Sequence, residues 1–255
     1  MNHVNKTLYI PLRGKAFVSE RGVILRDPKA VEIWNGTQFP LRGKSASKWL
    51  AYYMGMRAAV FDRWTQDRMQ DDPTAVILHI GCGLDSRCLR VGTAGHPWFD
   101  VDFPEVIHER RRYYQETEEY RMVSADFTDP HWMEELPGGN AIVILEGVSM
   151  DLPPEELKMA FHRIEEHFDS VHLLMDCYTT FAARASRYRN PINDVGVTQV
   201  YGMDDPNTLK GFQREHDMTP AELVAELTGM ERRIFQKLYA GSIARKMYRL
   251  YEYRR

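Results

Sequence analysis

The apolar positions of this chain change period near residue 74. Between Ser45 and Arg68, the residues Trp49, Tyr53, Met56, Val60 and Trp64 recur at steps of three or four, which makes one apolar stripe along a helix. Asp71, Asp72 and Pro73 end that pattern. Before it lie short polar and glycine-bearing segments. After it, short apolar runs alternate with amphipathic ones. Strands are predicted at 75–80, 97–101, 120–124, 141–145, 170–176, 231–238 and 246–253. Helices are predicted near 85–90, 104–117, 131–136, 154–168, 178–187 and 219–229. Such alternation predicts an α/β fold, a doubly wound and mostly parallel sheet of seven strands.

Local chemistry marks two helix starts. Asp151-Leu-Pro153-Pro154-Glu-Glu156 places an acceptor side chain, a proline and acids before an amphipathic run, and Met218-Thr219-Pro220 does the same with Thr219 as N-cap. The last 25 or so residues, ERRIFQKL and then MYRLYEYRR, read as two strands forming an antiparallel pair at the sheet edge. The segment from Arg187 to Asp217 is rich in Asn, Asp, Pro and Gly. A structureless insertion of that size is usually functional, and it is expected to be a lid.

Bulk properties narrow the class. The 255 residues are 44% apolar and 27% charged, which suits one sizeable domain with an appended N-terminal segment. A formal charge of −3 gives no reason to expect nucleic acid or an anionic membrane surface. No apolar run approaches the roughly eighteen residues that span a bilayer, and charges with Pro11 interrupt the N-terminus, so no signal peptide is read there. Cys82, Cys88 and Cys177 form no C-x-x-C pair. A reducing, cytoplasmic setting without structural zinc or another metal is expected.

The most informative stretch is Ala75 to Asp102, AVILHIGCGLDSRCLRVGTAGHPWFDVD. A buried strand runs into a turn where Gly81 and Gly83 flank Cys82, a helix starts, and a second strand ends on Asp102. Nucleotide-cofactor folds place a ribose-binding carboxylate about twenty residues after such a loop. Downstream, Ser124-Ala-Asp126-Phe127 ends the third strand with an acid beside an aromatic ring, and Glu146-Gly147 ends the fourth. Arg57 lies on the helix that precedes the unit.

With GCGLDSR, WFDVDFPEVI, SADF and ILEGVSMDLP in this order, residues 45 to 180 resemble the leucine carboxyl methyltransferase family, which includes O-methyltransferases of polyketide biosynthesis. The resemblance implies a Rossmann-like methyltransferase sheet with an antiparallel last strand. It also implies S-adenosylmethionine (AdoMet) as cofactor, S-adenosylhomocysteine (AdoHcy) as product, and methyl transfer to a carboxylate or hydroxyl of a small molecule or peptide. Arg57 would hold the methionine carboxylate by its guanidinium fork. Gly81 and Gly83 would let the backbone approach the cofactor. Asp102 would accept from the ribose hydroxyls, Asp126 from the adenine amino group with Phe127 beside the ring, and Glu146 would lie near the ammonium. Residues 1–70 would form a helical cap, and 71–255 the cofactor domain with its lid at about 187–217.

Where the family often reads E-G-V-x-M-Y-L, this chain has Glu146-Gly-Val-Ser149-Met150-Asp151-Leu152. Asp151 is read first as the N-cap of the next helix and second as an acceptor contact. Tyr201 and His216 are the further candidates for the acceptor pocket. Asp85 and Arg87 would brace the loop or touch ligand, and Arg110-Arg111-Arg112 reads as a solvated face. Two other classes stay open: a nicotinamide-dependent oxidoreductase, against which Ser86 stands where a third glycine is needed, and a non-catalytic cofactor-binding module. Oligomeric state is left open.

Overall fold

A computed structural model describes residues 6–37, 39–189 and 199–255. Ahead of the sheet, the described residues include the helices α1 (Tyr9–Glu20), α2 (Pro28–Gly36) and α3 (Lys48–Asp71). Asp27 caps α2 by accepting from Ala30 N at 2.8 Å, and Ser47 caps α3 through Trp49 N at 3.3 Å. The predicted stripe of α3 faces inward, with Tyr53, Met56 and Trp64 buried and Trp49 and Val60 half-buried. The helix is buried well beyond that stripe because α1 covers a second side. The two helices approach through reciprocal glycines. A Cβ on Gly14 would lie 2.6 Å from Met54 Cβ, and one on Gly55 would lie 2.8 Å from a Val18 methyl.

Beyond α3 the chain builds a seven-stranded sheet from β1 (Val76–Ile80), β2 (Trp98–Asp102), β3 (Tyr120–Ser124), β4 (Asn140–Leu145), β5 (Ser170–Tyr178), β6 (Phe212–His216) and β7 (Tyr248–Arg254). Its order is β3-β2-β1-β4-β5-β7-β6. The pairs from β3 across to β5 are parallel, and β7 runs against both of its neighbours. Between them lie α4 (Arg87–Val91), α5 (Pro104–Arg110), α6 (Pro154–His167), α7 (Thr180–Arg189), α8 (Ala221–Glu226), α9 (Gly229–Leu238) and α10 (Ser242–Met247). Strand alternation sorts the core onto two faces. Val76, Leu78, Val143 and Leu145 pack with Leu157, Phe161 and Ile164 of α6. Ile77, Ile142 and Ile144 pack with Tyr52, Met56 and Phe61 of α3. His79, Asp100 and Asp176 alternate onto this second face, so the charges of the sheet lie beneath α3.

Several expectations are corrected. ERRIFQKL lies within α9 and not in a strand: Ile234, Phe235 and Leu238 fall at helical spacing, and Phe235 packs edge-on to Tyr52 with ring centroids 6.1 Å apart. The sixth strand is instead Phe212–His216, a mostly exposed edge strand whose polar residues concealed it. The 187–217 segment is therefore not structureless, and it supplies the sheet edge; residues 190–198 of the expected lid lie outside the described residues. Residues 131–136 form turns. Position N-cap of α6 is Pro153, without a side-chain hydrogen bond, so Asp151 does not cap it. Pro220 likewise precedes α8, and Thr219 Oγ1 accepts from Gly241 N at 3.2 Å instead of capping. Among the described residues no helix is long and apolar enough to cross a membrane.

Gly14→Ala gains about 1 kcal/mol of helix propensity, but overpacking costs roughly 1–3 kcal/mol. It is expected to lower the urea midpoint, whereas Gly36→Ala, with nothing within 4 Å, should not. Equal midpoints for the two variants would refute the close crossing.

Candidate active site

The parallel strands point their C-terminal ends at one crevice. The connection from β1 goes to β2 on one side, while β4 lies on the other, and this divergence opens the space where α/β proteins bind ligands. A cavity of about 810 Å³ fills it, lined by Arg57, Gly81, Gly83, Asp102, Asp126, Phe127, Glu146 and Asp151 among others. All seven residues expected at the cofactor thus share one cavity. Tyr201 and His216 do not line it. Tyr201 accepts from Gln199 Nε2 at 2.7 Å, and His216 Nε2 lies 2.7 Å from Glu252 Oε2 at the sheet edge.

The glycine loop is held from below. Gly81 has φ of +66°, and a Cβ there would lie 2.1 Å from a Val148 methyl, so protein packing already demands the glycine. Gly81 N and Cys82 N both donate to Val101 O, at 2.8 and 3.3 Å. Asp102 accepts from Gly83 N and from Phe103 N, each at 2.8 Å. A carboxylate offers about four acceptor directions, so these two bonds leave capacity toward the cavity. Burial raises the Asp102 pKa. Asp126 is exposed and folds its carboxylate over Thr128 N and Oγ1, at 2.8 and 2.7 Å. Phe127 is fixed edge-on by Trp132 and Phe161, at centroid distances of 6.3 and 6.2 Å.

Beneath the loop lies a buried ionic layer. Glu146 accepts from Arg57 Nε at 2.9 Å and, on its other oxygen, from Arg87 Nη2. Arg57 Nη1 reaches Asp176 Oδ2 at 2.8 Å, and Gly147 N donates to Asp176 Oδ1 at 2.6 Å. Arg87 Nε and Arg90 Nε meet opposite oxygens of Asp62, both at 2.7 Å. Arg90 Nη1 also binds Asp27 and Asp85 at 2.7 Å, and Lys15 Nζ lies 3.1 Å from Asp85. The two arginines hold the Glu146 carboxyl down to about 2 despite its burial. At Asp176, burial outweighs Arg57 and the Gly147 amide, and the pKa rises.

A second buried group braces the loop from the β2 side. Asp100 accepts from Trp98 Nε1 at 2.9 Å, from Tyr120 OH at 2.6 Å and from Arg110 Nη2. Arg110 Nη1 also donates to Gly83 O at 3.0 Å, so this arginine belongs to the interior and not to a solvated face, unlike the exposed Arg111 and Arg112. His79 joins the two groups, with Nδ1 3.1 Å from Asp100 and Nε2 3.2 Å from Arg87 Nη1. A guanidinium only donates, so Nε2 accepts and Nδ1 carries the proton. Asp85 and Arg87 are thus braces. The interior ionic roles of Lys15, Arg90, Arg110 and Asp176 were not legible because nothing in their local pattern distinguishes a buried ion from a surface one.

With this geometry in place, the comparisons decide the family. The model of the leucine carboxyl methyltransferase family matches residues 13–165. The chain belongs to that family. Its activity is AdoMet-dependent O-methyl transfer, which removes the oxidoreductase alternative. Among curated relatives, the tetracenomycin polyketide synthesis O-methyltransferase TcmP of Streptomyces glaucescens is 28% identical over 90% of this chain and 88% of its own. The AdoMet-dependent methyltransferase dpfgK of Gibberella zeae is 29% identical over 66% of this chain and 61% of its own. Two solved structures share the fold. A DUF574 family protein from Streptomyces avermitilis, 15% identical, superposes with TM-score 0.59 over 95% of this chain and 96% of its own. Magnesium protoporphyrin IX methyltransferase from Synechocystis, 12% identical, gives 0.51 over 94% and 97%.

Removing one partner from a buried ionic layer costs about 3–5 kcal/mol, because the ions left behind stay desolvated. Arg87→Met is therefore expected to lower unfolding free energy by that amount in urea, and the exposed Arg112→Met to leave it nearly unchanged. The pH dependence has a definite sign. Glu146 is more acidic in the folded protein, so its contribution is complete above pH 4.5 and lost as pH falls toward 2. A Glu146→Gln variant should show a correspondingly flatter acid limb in stability measured against pH.

Proposed function

We propose that the cavity holds AdoMet along the strand tips and a small-molecule or peptide acceptor, carboxylate or hydroxyl, in its apolar arm. The observation that carries this reading is the convergence of Arg57, Gly81, Gly83, Asp102, Asp126, Phe127 and Glu146 on one cavity. The charges suit the cofactor. Among the described residues, the connected layer joins five carboxylates, Asp27, Asp62, Asp85, Glu146 and Asp176, to four cations, Lys15, Arg57, Arg87 and Arg90. That surplus of one negative charge favours a ligand with net positive charge. Neither carboxylate takes Arg57 Nη2, which leaves a donor for a ligand carboxylate beside Gly147. Asp102 keeps acceptor capacity for ribose hydroxyls, and Asp126 with Phe127 would meet the adenine.

AdoMet supplies an activated methyl group together with its own leaving group. The tasks left to the protein are alignment and exclusion of water. Apolar walls from Leu8, Leu12, Trp49, Met54, Met150 and Tyr248 serve the second task. We infer that α1 to α3 act as the cap over the acceptor. A cavity of about 810 Å³ lies in the upper part of the roughly 300–1,000 Å³ range of ligand pockets, consistent with room for both partners.

Calorimetry with AdoHcy is the test. Binding is expected, weakened about tenfold to a hundredfold in Asp102→Asn, as the loss of one charge-assisted hydrogen bond of roughly 1.5–3 kcal/mol requires. No binding of AdoHcy or AdoMet at millimolar concentration would refute the reading.

A further inference from the structure

Part of the cavity mouth is built by α9 and α10. Leu238, Ile243 and Met247 line the cavity and are at the same time exposed. They continue a stripe on α9, where Met230, Ile234 and Leu238 recur every four residues. That stripe is about 12 Å long, at 1.5 Å of rise per residue. Phe235 points the other way, onto Tyr52, so the inward face of α9 is already satisfied. Met230 is nevertheless 75% exposed and Leu238 51%. Single exposed apolar residues are ordinary, but a group of them beside a cavity mouth marks a surface that meets something.

The same stretch is basic. Thr228 to Met247 holds Arg232, Arg233, Lys237, Arg245 and Lys246 against Glu231 alone, a local charge of +4. The whole chain carries −3, so the remaining residues carry −7, and the average conceals the contrast. All five cations are exposed. Glu231 is already taken by Arg21 and Lys48, at 2.9 and 2.7 Å. Of the five cations, only Arg245 approaches a carboxylate among the described residues, Asp217 at 3.8 Å. From the turn before α3, the exposed Lys44 lines the cavity too, and Trp49 joins that side to α9 by stacking on Tyr239 at 5.4 Å.

We propose that α9 and α10 dock on an anionic lipid bilayer, with the cavity mouth turned toward the lipid. Helices that lie on membranes combine an apolar stripe with flanking Lys and Arg, whose stems run past apolar groups to the headgroup phosphates. The −7 on the remainder of the molecule orients the contact, because an anionic surface attracts this stretch and repels the rest. A second copy of the chain does not suit the face, since a two-fold contact would set +4 against +4 with no free acid to answer it. An acidic protein would answer the charge as well. Lipid is favoured because the apolar stripe runs on into the cavity mouth, so that an apolar acceptor passes from the bilayer to the apolar arm without crossing water. That route rests on the acceptor reading above and serves a carboxylate or a hydroxyl alike; the docking itself does not depend on it.

Vesicle flotation of the full chain, without cofactor, tests the surface. At low salt the protein should partition onto mixed phosphatidylcholine–phosphatidylglycerol vesicles at least about tenfold more strongly than onto phosphatidylcholine alone. Arg233→Glu combined with Lys237→Glu should lower that partition about tenfold or more and flatten its salt dependence. The same change of charge at two exposed cations elsewhere, Arg121→Glu with Lys210→Glu, should alter it less than about threefold. Met230→Ser should weaken it at least about threefold through lost insertion, with the salt dependence unchanged. Equal partition onto the two vesicle types, equal losses at the two charge-reversed pairs, or a Met230→Ser variant that binds as the wild type does would each overturn the proposal. So would release from the mixed vesicles by polyglutamate at matched charge, the mark of a site for an acidic protein. Failure to dock leaves the methyltransferase reading standing, and failure of AdoHcy to bind removes the acceptor route but not the docking.

Discussion

The fold turns on one constraint: the ions buried between α3 and the sheet must find partners within the protein. Each such ion loses several kcal/mol of hydration on burial, and only well-placed partners offset it. Arg57 and Arg87 meet that demand by clasping Glu146 from opposite sides, and Arg87 with Arg90 does the same for Asp62. The contacts join residues far apart in sequence, from Lys15 on α1 to Asp176 on β5. Helix α3, the loop after β1 and the ends of β4 and β5 are therefore tied together by contacts that give each of these ions a partner. Hydrophobic packing alone tolerates small slides; paired charges in a dry interior do not.

That rigidity explains how a glycine loop can be kept open toward a ligand. Gly83 is gripped at both ends of its peptide, its N–H by Asp102 and its carbonyl by Arg110. Arg110 is in turn fixed by Asp100, and His79 links that group to Arg87. Asp102 thus braces its own loop and also lines the cavity. Gly81 has a similar double reason, since its positive φ and the Val148 methyl exclude a side chain before any ligand arrives.

The cavity is lined by charged residues such as Arg57, Asp102 and Glu146 beside apolar ones such as Leu8, Met54 and Met150, and Asp151 lines it too. Its environment raises its proton affinity, whereas Glu146, clasped by two arginines, is held low. Unfavourable placement of this kind is what function commonly extracts from stability.

Sequence by itself determined the period of the elements and the order of the motifs. The parallel core, the glycine turn, and the acids at the ends of β2, β3 and β4 were legible because strand ends and turns carry strong local signatures. Tertiary structure decided which charges are interior. Arg110 and Arg111 are adjacent in the chain, yet one is buried on Asp100 and the other is exposed, a distinction that no local pattern contains. The same holds for the last strands. FQREH pairs at an edge, where one exposed side needs no apolar alternation, and ERRIFQKL coils because Phe235 finds Tyr52. Asp151 looked like a helix cap from its neighbours, and only the fold put Pro153 at the cap and the acid on a cavity wall.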